Sequence, residues 1–330
     1  MRISIVGAGA LGRIYGVRLA AQGDDVTFVV RPERVADAGP FVIEQVNGSR
    51  RDALERPRLA AEIPADTEVV LVTVRFEQLA PAQPDHGGAP PRAAGGRSVA
   101  DLLRGGPAVP AVVLTPLMPP QRAALDQAAQ RRVTPAMPSA SGYLDERGVV
   151  RYWITGLAST LIDEEGGAPA ERPTLEELAR RLTSADVPAR LERGVGAHNA
   201  ATTTAFFPLI AAIDAGGGVV GLASDPRVLG AARGATRECT ALADRLGKVA
   251  PWAKLLTRLA GPLTLKPGIQ IARHLFPEAL RFVDTHFGPK LHAQHLAMGA
   301  TILALGREHG VRLPSLEQLM SLIAGREAAR

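Results

Sequence analysis

The sequence predicts an α/β protein that begins with a doubly wound, mostly parallel sheet and continues into an all-α domain. Four apolar runs without polar alternation lie in the first part of the chain: residues 2–6, 24–30, 68–74 and 111–116. Continuous runs of this kind are typical of parallel strands that helices cover on both faces. Beyond residue 192 the strand signals vanish and helical patterns replace them. We therefore predict two domains, residues 1–192 and residues 193–330.

The elements between the first strands follow from local patterns. A helix is expected from about Ala10 to Gln22, directly after the first strand. Residues 41–63 alternate between apolar and polar types enough to form edge strands or a meander. Pro, Gly and Ala dominate residues 81–110, which predicts a surface loop with a short helix around Val99–Arg104.

The end of the first domain and the second domain are predicted in the same way. Residues 148–163 have the pattern of a hairpin-type pair of strands, and residues 187–192 that of a last strand. Residues 174–185 read as a helix with Thr174 as its cap. Five further helices are predicted at residues 199–213, 225–247, 251–261, 291–310 and 315–328.

Length and composition limit the class of protein. A chain of 330 residues is too long for one compact core, and 46% hydrophobic residues suffice for two. The single cysteine, Cys239, excludes an internal disulfide and fits a reducing compartment. No secretory signal precedes the first strand, and no apolar run reaches the roughly 18 residues of a membrane span. We expect a soluble, cytoplasmic protein without a membrane partner.

The charge pattern bears on partners and on catalysis. The net charge is +5, and no dense basic run with interleaved aromatic residues occurs, so nucleic acid is not an expected partner. Only four of the 38 basic residues are lysine: Lys248, Lys254, Lys266 and Lys290. Arginine does not release its proton at working pH, so a catalytic lysine would have to be one of these four.

Three glycines stand between the first strand and the first helix. Gly7, Gly9 and Gly12 form the pattern G-x-G-x-x-G, which is typical of Rossmann-type dinucleotide binding. In this motif the first glycine makes the tight turn, the second lets the backbone approach the pyrophosphate, and the third lets helix and strand pack closely. We predict that the whole loop, including Ala8, Ala10 and Leu11, binds the cofactor; the alternative is a glycine-rich turn in an unrelated α/β domain.

The end of the second strand indicates which dinucleotide is bound. NAD-binding sites usually carry Asp or Glu there, about 20 residues after the glycines, to bind the ribose hydroxyls. This chain has Arg31 at that point and Arg34 close behind. A guanidinium pairs with a 2′-phosphate, which an acid would repel. NADPH is therefore the predicted cofactor, unless Arg31 is only a solvated residue at the strand end.

The chain resembles the ketopantoate reductase (2-dehydropantoate 2-reductase) family. The resemblance rests on "IVGAGALGRIYGVRLAAQGDDVTFVVR", on the strand leading into "VTVRFEQ", and on the closing "GREHGVRLPSLEQLMSLI". It extends over nearly the whole chain in order and is thin between residues 80 and 140. It implies NADPH-dependent reduction of a 2-oxo acid to a 2-hydroxy acid, in a cleft between the two domains, by a divergent member.

Two positions of the family's first-domain pattern are altered. The family normally has a lysine after the fourth strand, where this chain has Arg75, with Gln78 three residues further on. Arg75 can still bind a phosphate or carboxylate, and we assign it to the cofactor. The family's next strand usually ends in Asn-Gly, whereas residues 114–120 here contain no asparagine.

Two positions of the second-domain pattern are altered as well. The helix face that carries the family's catalytic lysine reads Asn199, Thr203 and Phe207 when counted back from Pro208, and it holds no lysine. The acidic residue expected about 16 residues before the closing glycine is replaced by Gln294. From this layout we assign Asn199 to catalysis and Thr203 and Gln294 to substrate binding.

Few side chains remain that can supply a proton to the developing alkoxide. His198 precedes Asn199 on the same helix, and a histidine can donate a proton near neutral pH. Lys290 stands at the start of the 291–310 helix. We predict His198 and Lys290 as catalytic candidates; the alternatives are that His198 caps or packs its helix and that Lys290 is a surface lysine. His292 and His295, three apart, lack a third ligand in the sequence, and no metal site is predicted.

Three functions therefore stay open at this point. The first is an NADPH-dependent reductase of ketopantoate or a related 2-oxo acid. The second is an imine reductase or hydroxy-acid dehydrogenase of the same architecture. The third is an NADP(H)-binding sensor that has lost catalysis, which the missing lysine and asparagines favour. The apolar C-terminal helices leave room for a homodimer.

Overall fold

A computed structural model describes residues 1–36, 39–79, 97–154, 158–259, 262–288 and 291–327 of the chain. The chain divides into two compact units, Met1–Gly196 and Ala197–Arg330. The division falls after Gly196, where the sequence prediction placed it at residue 192. The mixed α/β architecture predicted from the sequence is confirmed: a parallel sheet comes first, and a helical part follows.

Twelve strands are found among the described residues of the first unit. They are β1 (Arg2–Val6), β2 (Asp25–Val29), β3 (Phe41–Gln45), β4 (Arg51–Leu54), β5 (Arg58–Ala60), β6 (Val69–Val72), β7 (Ala111–Val113), β8 (Thr134–Met137), β9 (Ala140–Leu144), β10 (Val150–Ile154), β11 (Thr160–Asp163) and β12 (Ala189–Glu192). The helices of this unit are α1 (Ala10–Ala21), α2 (Phe76–Leu79), α3 (Val99–Gly105), α4 (Pro119–Ala129) and α5 (Arg172–Ser184).

Eight of these strands form one sheet in the order β12-β11-β8-β7-β6-β1-β2-β5. All neighbours in it run parallel except β8 and β11, which are antiparallel. The four continuous apolar runs seen in the sequence are β1, β2, β6 and β7 at its centre. Their burial explains why they lack polar alternation: β6 and β7 are buried at every position.

The other four strands form a second sheet in the order β4-β3-β10-β9. Helix α1 packs against strands of both sheets, β1 and β2 of the large one and β3, β4, β9 and β10 of the small one. The predicted hairpin at residues 148–163 is therefore wrong. The two strands exist, but β10 pairs with β3 and β9 in the small sheet, and β11 pairs with β8 and β12 in the large one.

One further expectation about the first unit is corrected, and several of its elements were not predicted. The cap of α5 is Glu171 and not Thr174, because the helix begins at Arg172 and has Pro173 in its first turn, where a missing N–H costs nothing. The elements α2, α4, β8 and β9 were not predicted. The short helix expected at Val99–Arg104 is found as α3, with Ser98 and Asp101 forming a capping box. The predicted surface loop over residues 81–96 lies outside the described residues.

The described part of the second unit is helical. Its helices are α6 (Val195–Gly216), which begins two residues before the division, α7 (Val219–Ser224), α8 (Pro226–Leu246), α9 (Pro251–Leu259), α10 (Pro262–Leu275), α11 (Pro277–Phe287), α12 (His292–Glu308) and α13 (Pro314–Glu327). None of the helices in the described ranges has the length and apolar character that a bilayer span requires.

Helices α8 and α13 pack together, and a carboxylate fixes their contact. Glu238 of α8 accepts hydrogen bonds from the backbone N–H groups of Ser315 at 3.0 Å and of Leu316 at 3.2 Å. These N–H groups belong to the first turn of α13, which has no partners within its own helix. A negative charge at that position also interacts favourably with the helix dipole.

Candidate functional site

The central strands of the large sheet bring four segments to one edge. Val6 of β1 pairs in parallel with Val29 of β2 and with Val72 of β6, and Val72 pairs with Val113 of β7. The carboxyl ends of these strands therefore lie side by side. In open α/β sheets this edge is where ligands bind. The segments that follow the four strands begin at residues 7, 30, 73 and 114.

The segment after β1 is a tight turn that needs glycine at two positions. Gly7 has a φ of +103°, a conformation that favours glycine, and its N–H donates to Val29 O at 3.1 Å. A Cβ on Gly12 would overlap the carbonyl oxygen of Gly7 and lie 2.7 Å from Thr73 Oγ1. Thr73 Oγ1 in turn donates to Gly7 O at 2.9 Å. The first and third glycines thus allow α1 to begin directly after the turn and to pack closely against it.

Gly9 lies in a more open environment than Gly7 and Gly12. It is the N-cap of α1 with extended backbone, at φ −76° and ψ −167°, and a Cβ built on it would meet no atom within 4 Å. The first N–H groups of α1 follow it at Ala10, Leu11 and Gly12, and such groups have no partner inside a helix. A helix N-terminus with an open approach along a glycine is suited to a phosphate. The loop therefore fits the pyrophosphate of a dinucleotide.

Arg13, which sequence reasoning did not assign, holds this loop in place. Its Nε donates to the Ala8 carbonyl at 3.0 Å, and its Nη1 donates to the Gly148 carbonyl at 3.2 Å. The guanidinium carbon lies 4.0 Å from the centre of the Phe41 ring. Burial, together with the charge of Arg34, lowers the pKa of Arg13. The motif alone gave no signal for these contacts, because Gly148 and Phe41 are remote in sequence.

Arg31 follows β2 at the same edge of the sheet. Its side chain is 53% exposed, and its Nε lies 3.5 Å from Glu33 Oε1. Arg34 is exposed as well. An exposed ion pair of this kind contributes little to stability, about 0–1 kcal/mol. The guanidinium of Arg31 can therefore exchange Glu33 for a stronger anionic partner.

Arg75 lies in the segment after β6. Its backbone N–H donates to Gln78 Oε1 at 3.0 Å, and its 58% exposed side chain is 3.9 Å from Glu77. Thr115, which follows β7 in the stretch that lacks the expected asparagine, donates a hydrogen bond to the Val74 carbonyl. The bond from Thr115 connects the segments after β6 and β7, and the Arg75 guanidinium lies at the surface.

In the second unit, α6 carries three of the predicted site residues. Asn199 is 3% exposed, and its Oδ1 accepts a hydrogen bond from Thr203 Oγ1 at 3.2 Å. His198 is half-buried, and its Nδ1 lies 2.6 Å from the Lys248 carbonyl. A carbonyl only accepts, so Nδ1 carries a proton in this arrangement. Asn199 and Thr203 are thus neighbours on one helix face, and His198 is held by the chain before α9.

The remaining predicted residues are on or near α12. Gln294 is half-buried on that helix. Lys290 lies outside the described residues, so its role stays a prediction.

The helical unit also contains a carboxylate between two histidines, which the sequence did not predict. Asp214 Oδ2 of α6 lies 3.0 Å from His295 Nδ1 and 3.1 Å from His292 Nδ1 of α12. The Asp214 side chain is 4% exposed and that of His295 is fully buried. Burial alone would raise the pKa of Asp214, but hydrogen bonds and charge from the two histidines outweigh it and lower that pKa below its ordinary value. The sequence showed the histidine pair, but Asp214 is about 80 residues away.

Replacing Asp214 by Asn is expected to lower the free energy of unfolding by about 1–3 kcal/mol near neutral pH, because a charged acceptor shared by the buried His295 and the partly exposed His292 is lost. The pKa of Asp214 in the folded protein lies below the ordinary value of an aspartate. Its stabilisation is therefore complete above that value and is lost as the pH falls through the lower folded pKa. Urea unfolding of both proteins between about pH 5 and pH 3 should show the difference shrinking with acid. Asp244→Asn, at an exposed position of α8, is the control. A difference in unfolding free energy between the wild type and Asp214→Asn that stays constant or widens as the pH falls would contradict the assignment.

The fold and the glycine loop together define a protein of Rossmann type with a helical C-terminal part. Comparison with protein families agrees with the resemblance inferred from the sequence. Residues 3–87 match the model of the family described as Ketopantoate reductase PanE/ApbA. The matched stretch contains the glycine loop, Arg13, Arg31 and Arg75. Comparison with curated proteins gives no match.

Solved structures extend the likeness to the whole chain. A 2-dehydropantoate 2-reductase from Geobacter metallireducens GS-15 is 21% identical with a TM-score of 0.63, over 99% of this chain and 100% of that one. A PanE/ApbA family ketopantoate reductase from Ralstonia eutropha JMP134 is 21% identical with a TM-score of 0.65, over 98% and 97%. A D-mandelate dehydrogenase with NADH and anilino(oxo)acetate is 15% identical with a TM-score of 0.63, over 100% and 99%. At these identities the comparison shows a shared fold.

Proposed function

We propose that the protein is an NADPH-dependent oxidoreductase that reduces a 2-oxo acid, ketopantoate or a related compound, to the 2-hydroxy acid. The observation that carries the proposal is the loop from Gly7 to Gly12, whose open approach at Gly9 suits a pyrophosphate. The match of this region to the ketopantoate reductase family supports the reaction class. The three structural relatives named above act on, or are named for, 2-oxo or 2-hydroxy acids, which supports the same class.

The reaction sets requirements that the chain's own residues must meet. A reduced nicotinamide, when bound, supplies the hydride to the carbonyl carbon. The protein must then give a proton to the carbonyl oxygen and hold the carboxylate. The hydrogen-bonded pair Asn199 and Thr203 offers polar groups for substrate, and Gln294 offers an amide on α12. Arg75, exposed at the sheet edge, supplies a cation for a phosphate or carboxylate.

His198 and Lys290 are the proposed proton donors. The Nδ1 of His198 is engaged with the Lys248 carbonyl, so the proton it would transfer is carried on Nε2 of the imidazolium. This bond also fixes the ring, which favours directional proton transfer over a freely rotating side chain. Lys290 is proposed from the sequence alone.

The preference for NADPH gives a testable prediction. Because a charge-assisted hydrogen bond to the 2′-phosphate is worth about 1.5–3 kcal/mol, Arg31→Ala should weaken NADPH binding by roughly tenfold to a hundredfold and leave NADH binding little changed. Titration of both nucleotides into each protein measures this. Arg51→Ala is a matched control, since Arg51 is also exposed and paired with a glutamate, Glu44, at 3.2 Å. Equal affinities of the wild type for NADPH and NADH would refute the assignment.

Two alternatives have specific support. The relative with NADH bound is a D-mandelate dehydrogenase, which favours a hydroxy-acid dehydrogenase of the same architecture. The face of α6 that reads Asn199, Thr203 and Phe207 has no lysine, which favours an NADP(H) sensor without catalysis. An imine reductase would fit the architecture equally.

Steady-state NADPH oxidation across a panel of 2-oxo acids, including ketopantoate, separates these functions. Substrate-dependent oxidation by at least one member supports the proposal. Faster oxidation of the matching 2-hydroxy acids, with NAD⁺ preferred, would favour the dehydrogenase. Nucleotide binding without turnover of any member would favour the sensor or an imine reductase over the proposal.

The proposed location is the cytoplasm, because the single buried cysteine suits a reducing compartment.

We also propose that the protein forms a homodimer. Leu255, Leu275 and Phe276 are 57%, 66% and 61% exposed on the helical unit, and exposed apolar surface of this kind favours association. Sedimentation analysis of the purified chain tests this, and a monomer at micromolar concentration would contradict it.

A further inference from the structure

The strongest unassigned feature of the first unit is the guanidinium of Arg13. It lies in the first turn of α1, directly after the third glycine, and it contacts three separate segments. The Nε bond to Ala8 O reaches the glycine loop, and the Nη1 bond to Gly148 O reaches the turn between β9 and β10. The ring of Phe41 at the start of β3 covers its face. One side chain therefore joins the glycine loop to the second sheet.

The bond to Ala8 has a geometric consequence for Gly9. The C=O of Ala8 and the N–H of Gly9 belong to the same planar trans peptide and point in opposite directions. When Arg13 holds the carbonyl, it also fixes the direction of the Gly9 N–H. A Cβ added to Gly9 would have no protein atom within 4 Å, so the space next to its Cα is open. Arg13 thus sets the orientation of a donor at the place where a phosphate would approach.

The charge of Arg13 is placed in an unusual surrounding. Its hydrogen-bond acceptors among the described residues are two uncharged carbonyls, so within that part of the chain no full negative charge offsets the cost of its partial burial. The charge of Arg34, close enough to act on it, has the same sign, and burial and Arg34 together lower the pKa of Arg13. Arg34 is itself exposed beyond the end of β2. The anionic phosphates of a bound dinucleotide, the pyrophosphate at the glycine loop and a 2′-phosphate beyond β2, would relieve this repulsion.

We propose that Arg13 is a positioning residue for the dinucleotide, fixing the Ala8–Gly9 peptide for the pyrophosphate, and that Arg34, exposed in the segment after β2, contacts the additional 2′-phosphate. The proposal rests on the proposed function, since it assumes a dinucleotide at the glycine loop. It assigns different effects to the two residues. Loss of Arg13 affects every dinucleotide, because the pyrophosphate is common to all of them, whereas loss of Arg34 affects only the phosphorylated one.

A purely structural role for Arg13 makes a different prediction. In that case its removal lowers stability and leaves affinity for nucleotides unchanged. Arg131 provides the matched control, because it is a partly buried arginine of the same unit that donates to the carbonyls of Pro107 at 2.6 Å and Val109 at 2.7 Å. Burial lowers its pKa too. It differs from Arg13 in having no contact with the glycine loop.

The test compares Arg13→Met, Arg13→Lys, Arg34→Met and Arg131→Met with the wild type. Methionine keeps an apolar stem against Phe41 and removes the donors, and lysine keeps the charge and one possible bond. The dissociation constants of NADPH and NADH and the thermal midpoint are measured for each protein. Arg13→Met should weaken both nucleotides by about tenfold to a hundredfold, Arg13→Lys by less, and Arg34→Met should weaken NADPH alone by a similar factor. Arg131→Met should lower the thermal midpoint and leave both dissociation constants unchanged.

The outcomes separate this inference from the proposed function. If the wild type binds nucleotide and Arg13→Met binds both nucleotides equally well, the positioning role is overturned and the proposed function stands. If Arg34→Met weakens NADPH and NADH alike, the 2′-phosphate contact is overturned. If the wild type prefers NADH while Arg13→Met weakens both, the NADPH preference fails and the role of Arg13 is supported. A wild type that binds neither nucleotide overturns the proposed function and this inference together.

Discussion

Gly9→Val is expected to abolish dinucleotide binding while leaving the fold intact. The backbone of Gly9, at φ −76° and ψ −167°, is in a region that valine adopts readily, and the new Cβ would meet no protein atom within 4 Å. The side chain would instead fill the approach to the N-terminus of α1. Charge-assisted hydrogen bonds are worth about 1.5–3 kcal/mol each, so losing two weakens binding by a hundredfold or more.

Variants at two other glycines, Gly105 and Gly12, serve as comparisons for this experiment. Gly105→Val places the same side chain at another open glycine of the first unit, at the end of α3, and should leave nucleotide affinity unchanged. Gly12→Ala should lower stability as well as binding, because its Cβ would overlap the Gly7 carbonyl. Nucleotide titration and thermal unfolding of the three variants separate the two effects. Wild-type affinity in folded Gly9→Val would show that the loop does not bind the pyrophosphate.

Removal of the proton donor is expected to lower turnover by about 10²–10⁴-fold, with affinity for NADPH little changed. The candidates are His198, held through Nδ1 at the Lys248 carbonyl, and Lys290. His198→Ala and Lys290→Ala are each compared with the wild type on the best substrate of the 2-oxo acid panel. His274→Ala, at an exposed position of α10, is the control for loss of an imidazole.

The variant that loses activity identifies the proton donor. A large fall in kcat for one variant alone assigns the role to that residue. Full activity in both His198→Ala and Lys290→Ala would mean that neither is the donor. A fall in nucleotide affinity together with kcat would indicate disturbed binding and not lost proton transfer.

The sequence predicted those parts of the fold that local signals determine. The four central strands and α1 were found because buried parallel strands are continuous apolar runs and the glycine motif marks the turn between β1 and α1. The pairing of β10 was mispredicted because its partner β3 lies about 100 residues earlier, and adjacency in sequence suggested a hairpin with β11. Strand patterns indicate that a strand exists, but its partner depends on the tertiary fold.

The residues of the candidate site show the same difference between local and long-range signals. Gly7, Gly9, Gly12 and Arg31 were predicted because their spacing from the strands is part of the motif. The contacts of Arg13 with Gly148 and Phe41 and the bonds of Asp214 with two histidines of α12 were not, because each joins segments far apart in sequence. No sequence spacing indicated them. The catalytic assignments of His198, Asn199 and Lys290 stay predictions that kinetics must test.

The central claim is that this protein passes a hydride from a reduced nicotinamide to carbon 2 of a 2-oxo acid. The most direct measurement uses NADPH that carries deuterium at the transferable position of the nicotinamide, with the best substrate of the panel and mass analysis of the product. The proposed function predicts a 2-hydroxy acid that carries the deuterium on carbon 2, with formation lost in Gly9→Val. A product without deuterium, or no product although NADPH binds to the wild type, would contradict it.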